Sequence, residues 1–173
     1  NEGEAHFMRH LVDGDVAKRG LSESLGLAHQ PGLMDLLCDS GLDIASCTVA
    51  TDVPGLFVLP AGQYRSSAPE LLGSARMQSL FAEYLDDHRS CFVIFDSPPI
   101  LMTAEARSLL PVAGQVVVVV KAGESQKPLV LDALGAIGNN KPTSLILNQL
   151  RAVNEPRYGY YHPYGPAATQ PPS

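Results

Sequence analysis

Three runs of consecutive apolar, largely β-branched residues punctuate the chain, at 91–95, 115–120 and 143–147. The middle run holds five valines in a row, Val116 to Val120. Such runs lack the alternation of a half-exposed sheet and predict parallel strands covered on both faces. Shorter apolar stretches at 10–12, ending at Asp13, and at 56–59, ending at Pro60, predict two more strands. Between them the apolar period lengthens. Met77, Leu80, Phe81, Tyr84 and Leu85 recur every three or four positions and predict a helix over 74–87. Segments 104–110 and 128–137 read the same way, and 32–38 as a short helix. Strands alternating with helices predict an α/β domain with one doubly wound, mostly parallel sheet and helices on both faces. In such sheets ligands gather beyond the carboxyl ends of the strands, where Asp13, Asp96 and Asn148 fall.

The pattern stops near residue 152. Residues 153–173 are rich in Pro, Gly and Tyr without periodicity, and read as a flexible tail after a domain spanning 1–152. The length of 173 residues suits one domain with a sizeable core. A hydrophobic share of 45% against 17% charged residues excludes a disordered chain. The net charge of -6, with no cluster of Lys and Arg, argues against a nucleic-acid partner, because a phosphate grip needs local positive charge. Cys38, Cys47 and Cys91 lack CxxC spacing and are expected as buried thiols in a reducing cytosol. No signal peptide is visible and no apolar run approaches the roughly 20 residues of a membrane span. The abrupt opening, Asn1–Glu2–Gly3–Glu4, reads as the interior of a longer protein.

Four groups of residues carry chemistry. Asp13 and Asp15 follow a strand one residue apart, where they could enter a Mg2+ shell, accept a proton, or close a solvated Asx turn. Asp96 ends the strand Val93-Ile94-Phe95 and is followed by Ser97-Pro98-Pro99, the Walker B arrangement of a carboxylate aimed at Mg2+. Asn148 ends the last strand; its amide both donates and accepts, which suits either an adenine edge or a turn cap. Tyr158, Tyr160, Tyr161 and Tyr164 crowd the tail, as a sticky low-complexity segment or as sites of recognition or modification. Lys121 and Lys127 flank the exit of the valine strand and could touch phosphate, although solvated roles are expected. His29 and His88 read as surface residues.

Taken in order, LVDGDVAKRGLSESLGL, PGLMDLL, GLFVLPAG, PELLGSARM, FVIFDSPPIL, the valine strand, LILNQL and the tyrosine cluster resemble the bacterial tyrosine kinases of exopolysaccharide export. The likeness is to the exosortase-associated tyrosine autokinases in particular, and runs from His10 to Tyr164. It implies a P-loop NTPase-like fold related to the MinD/ParA ATPases, ATP and Mg2+ as cofactors, and autophosphorylation of the tail. Asp13 and Asp15 match the Walker A′ carboxylates, Asp96 the Walker B carboxylate, and Tyr158, Tyr160, Tyr161 and Tyr164 the phosphoacceptors. It also implies a homo-oligomer, a cognate tyrosine phosphatase, and a membrane chain-length regulator of polysaccharide polymerisation that holds the kinase at the cytoplasmic side of the inner membrane.

The sequence departs from that family in its first residues. The family has a G-x-x-x-x-G-K-[ST] loop, a helix and then the Walker A′ strand. Here Asn1–His6 offers at most a remnant, with Ala5 where Lys or Ser/Thr is expected. The stretch from Ala5 to Val12 is too short for a helix returning to a parallel strand. Lys18-Arg19 stands where Arg-Arg-Pro is frequent, and Glu105 where many members have Asp. Two further readings follow: a non-catalytic fragment or pseudokinase with a phosphorylatable tail, and a MinD/ParA-like ATPase. The second would call for an amphipathic helix or a basic face that the tail does not supply.

Overall fold

A computed structural model describes residues 8–88 and 90–150. Strand β1 (Met8–Asp13) lies between β3 (Leu56–Leu59) and β4 (Cys91–Asp96), parallel to both. A two-residue strand, β2 (Val49–Ala50), adds antiparallel to β3 and completes the order β2-β3-β1-β4. Strands β5 (Val116–Lys121) and β6 (Thr143–Asn148) form a separate parallel pair. The architecture is α/β and mostly parallel, as expected, but among the described residues the strands fall into two hydrogen-bonded ladders and not one. The chain passes from β4 to β5 through α6 (Ala104–Leu109) and a 3-10 turn at Leu110–Val112. This is a crossover of the βαβ kind, yet its two strands do not pair.

The helices start where the sequence supplies a partner for their free N–H groups. Ser74 Oγ accepts from Met77 N at the head of α5 (Ala75–Asp87), and Thr103 Oγ1 from Ala106 N at the head of α6. Helix α7 (Lys127–Ile137) places Pro128 in its first turn, where no N–H is needed, and ends at Gly138 with φ of 82°. Three short helices lay below the reach of periodicity: α1 (Gly20–Ser24), α3 (Ile44–Cys47) and α4 (Ala68–Leu72). Helix α2 (Leu33–Cys38) is set by a docking of its first turn. Leu33 N and Met34 N donate to the carbonyls of Pro60 and Ala61, and Asp35 Oδ2 accepts from Gly32 N. A Cβ on Gly32 would run into the Pro60 carbonyl, so only glycine permits this approach.

The core gathers on one side of the four-stranded sheet. Val12, Val16, Leu33, Met34, Leu36, Leu59, Leu72 and Met77 are wholly buried there, with Phe81 against Phe95 edge to face at 5.0 Å. Every member of this cluster lies between Val12 and Leu109. The second ladder contributes none; its own buried residues are Ala133 and Ile137 of α7. Ile94 on β4, Val117 and Val119 on β5, and Leu145, Ile146 and Leu147 on β6 stay about half exposed. The cysteines only partly meet expectation. Cys47 is buried, Cys91 half-buried, and Cys38 exposed at the end of a helix too short to cover it; none is bridged. No described helix is long and apolar enough to cross a membrane.

Candidate functional site: three carboxylates at the strand ends

Asp13 and Asp96 close their strands side by side, in register on neighbouring parallel strands. Gly14 N donates to the Asp96 carbonyl at 2.7 Å and locks the two ends together. Asp15 lies one turn further, and its Oδ1 accepts from Lys18 N at 3.2 Å while its carbonyl accepts from Arg19 N at 2.6 Å. Asp15 therefore closes a turn, as the Asx reading anticipates, and still shares the carboxylate neighbourhood. Burial, and then the charges of Asp13 and Asp15, push the Asp96 carboxyl above its ordinary range. An uncompensated cluster of negative charge is a place for a cation.

The two oxygens of Asp13 have different fates. The side chain is fully buried. Oδ2 accepts twice from Ser22, from its N–H at 2.8 Å and from its hydroxyl at 2.6 Å. Oδ1 is buried with no hydrogen-bond partner. A buried carboxylate oxygen left unsatisfied costs free energy until something binds it, and a hard cation with oxygen-rich coordination suits it. The residues present therefore fit Mg2+, with Asp13 and Asp96 as the protein's contribution. Among the described residues no three acidic, His or Cys side chains converge closely enough to cage an ion on their own. Mg2+ commonly takes one or two carboxylates and fills its shell with water and phosphate oxygens, so an open pair suits it better than a cage. A surface hollow of about 560 Å³ beside Asp35, Cys38 and Arg65 includes none of the three carboxylates.

Asn148 lies on the second ladder, opposite Lys121 of β5. Its Oδ1 accepts from Gln149 N at 2.8 Å, next to a left-handed Gln149 with φ of 56°. The acceptor half of the amide thus caps a turn, and the NH2 half is what it could offer a base. Lys121 pairs with Glu124 at 2.8 Å, and Lys127 is exposed at the head of α7. His29 is exposed as expected. His88 is not a plain surface residue: its ring stacks on Tyr84 at 4.3 Å and Nδ1 meets the Tyr84 carbonyl. Tyr158, Tyr160, Tyr161 and Tyr164, and the Asn1–His6 segment, lie outside the described residues. Sequence reasoning missed Ser22. Nothing in LSESLGL marks that serine, because its partner lies nine residues back and its second contact, Ala61, far ahead.

No family model matches the sequence. The chain is 31% identical over 159 residues to EpsB of Ralstonia solanacearum, covering 90% of this chain and 20% of EpsB. To the tyrosine-protein kinase YwqD of Bacillus subtilis it is 31% identical over 153 residues, 87% of this chain and 63% of YwqD. The chain is a homologue of the bacterial tyrosine kinases. It is also 28% identical to the succinoglycan biosynthesis transport protein ExoP of Rhizobium meliloti, over 90% of this chain and 21% of ExoP. It thus spans about a fifth of EpsB and ExoP, and under two thirds of YwqD. Among solved structures it superposes on the kinase domain of VpsO with a TM-score of 0.73 at 27% identity, covering 83% of this chain and 70% of that one. The kinase domain of the Escherichia coli tyrosine kinase ETK gives a TM-score of 0.69 at 22% identity, covering 88% of this chain and 60% of that one, a likeness of fold. The fold of this tyrosine-kinase homologue is P-loop NTPase-like.

Proposed function

We propose that the chain belongs to a protein-tyrosine autokinase that moves the γ-phosphoryl group of ATP to Tyr158, Tyr160, Tyr161 and Tyr164, and so regulates exopolysaccharide synthesis and export. One observation carries this reading: in a homologue of YwqD, Asp13 and Asp96 end adjacent parallel strands in register, with Asp13 Oδ1 buried and unpartnered. Asp13 and Asp96 would hold Mg2+, with Asp15 adding negative charge beside them; the ion when bound neutralises charge on the ATP phosphates. Asp15, whose carboxylate is not committed to the ion, takes the tyrosine proton, and Asn148 meets the adenine edge through its NH2. Residues 1–152 act as the kinase domain and 153–173 as the acceptor tail. The ExoP name supports a membrane partner in polysaccharide transport, a chain-length regulator that keeps the domain at the inner membrane. A homo-oligomer would present one tail to a neighbour's site, and a tyrosine phosphatase would reset it.

The test mixes this chain with a loop-complete, tail-less related kinase and ATP, and maps phosphotyrosine by mass spectrometry. Labelling at the four tail positions, lost when the kinase partner carries the Asp-to-Asn change equivalent to Asp96→Asn, supports the tail as phosphoacceptor. An unlabelled tail refutes it. Self-labelling by the kinase that contains this chain, lost in Asp96→Asn, supports the autokinase reading.

A further inference from the structure

We infer that Ser22 is the positioning residue of the site: it pins Asp13 Oδ2 so that Oδ1 alone is left to work. This rests on the proposed Mg2+ role of Asp13. Ser22 is 1% exposed on α1, and its hydroxyl has no freedom of direction. Ala61 N can only donate, and does so to Ser22 Oγ at 3.0 Å. The single hydroxyl proton therefore goes to Asp13 Oδ2, at 2.6 Å, beside the donation from Ser22 N at 2.8 Å. Two donors on one oxygen fix the carboxylate plane and assign its atoms, Oδ2 as anchor and Oδ1 as ligand. The anchor is itself anchored, since the Ala61 carbonyl accepts from Met34 N at 3.0 Å. Asp13 is thereby tied through Ser22 to the end of β3 and the first turn of α2. A carboxylate held by one strand end alone could rotate about its last torsion, which is soft. Ser22 removes that freedom before a metal arrives, as outer hydrogen-bond partners do in metal sites generally.

The test reads metal binding and needs no turnover. Mn2+ is titrated into the full chain and free ion is followed by electron paramagnetic resonance, for the natural protein, Asp13→Asn, Ser22→Ala and Ser22→Cys, with circular dichroism as the folding check. Ser22→Ala is expected to weaken Mn2+ by about tenfold, the lower end for lost outer-shell partners. Ser22→Cys, close in size but a weak donor, should fall between. Folded serine variants within twofold of the natural affinity, while Asp13→Asn abolishes binding, overturn the positioning role and leave the metal reading intact. An unchanged affinity in Asp13→Asn overturns the metal reading itself. The unmodified chain supplies a check free of substitution. On Mg2+ addition the Asp13 carboxyl carbon resonance should move, while the Ser22 amide proton keeps its hydrogen-bonded shift. Release of the Ser22 amide on Mg2+ addition overturns the inference.

Discussion

At the scale of the residue, His10 is a heavily committed side chain outside the carboxylate site. It is 4% exposed, its ring stacks on Phe57 at 5.1 Å, Nε2 meets Tyr84 Oη at 3.0 Å, and Nδ1 meets Cys91 Sγ at 3.3 Å. A neutral imidazole can satisfy both contacts, but a cation must point a second N–H at sulfur, a weak acceptor. Burial, and then the nearby His88, hold its pKa below the ordinary 6.5. On acidification the unfolded chain takes up this proton first. The stabilisation is complete above the unfolded pKa and is lost as pH falls through the depressed folded value. We expect Tm to drop between pH 7 and 5, and His10→Phe, which keeps the stacking, to flatten that slope. A slope unchanged in His10→Phe would assign the effect elsewhere. The strand-end positions were legible at this scale: Asp13 and Asp96 announce themselves by the apolar runs they close. Ser22 and His10 were not, because what distinguishes them is a partner remote in sequence.

At the scale of the element, length decided what could be read. The 13-residue α5 and the five strands of four or more residues carry enough apolar positions to show a period or a run. Helices α1, α3 and α4 have four or five residues each, barely one turn, and are held by loops and caps; Asp43 Oδ1 accepting from Ser46 N at 2.7 Å is an example. Helix α7 carries a weakness that the structure makes testable. Gly135 sits inside it, and a Cβ there would meet nothing within 4 Å. Replacing it with alanine removes backbone entropy from the unfolded state and adds no collision. Gly135→Ala should stabilise by about 0.5–1 kcal/mol, read as a higher urea midpoint at constant slope. The opposite sign is expected for Gly32→Ala, where the Pro60 carbonyl stands in the way and the first turn of α2 must back off. Destabilisation by about 1–3 kcal/mol in the same experiment is the expected outcome.

At the scale of the molecule, order is unequally shared. The sequence indicated one sheet because every strand looks alike as an apolar run; it held no sign that β4 and β5 fail to pair. The four-stranded ladder packs a cluster whose members lie between Val12 and Leu109, whereas β6 is exposed along most of its length. Amide exchange should follow that division, slowest in β1 and β3 and faster by orders of magnitude in β6. Uniform protection across both ladders would contradict it. The placement of the cluster also bears on how the protein comes into being. Chains are made amino end first, and everything needed to close the main core has been made once Val112 is joined. A released chain truncated just past Ala113 should already resist proteolysis, without the valine strand.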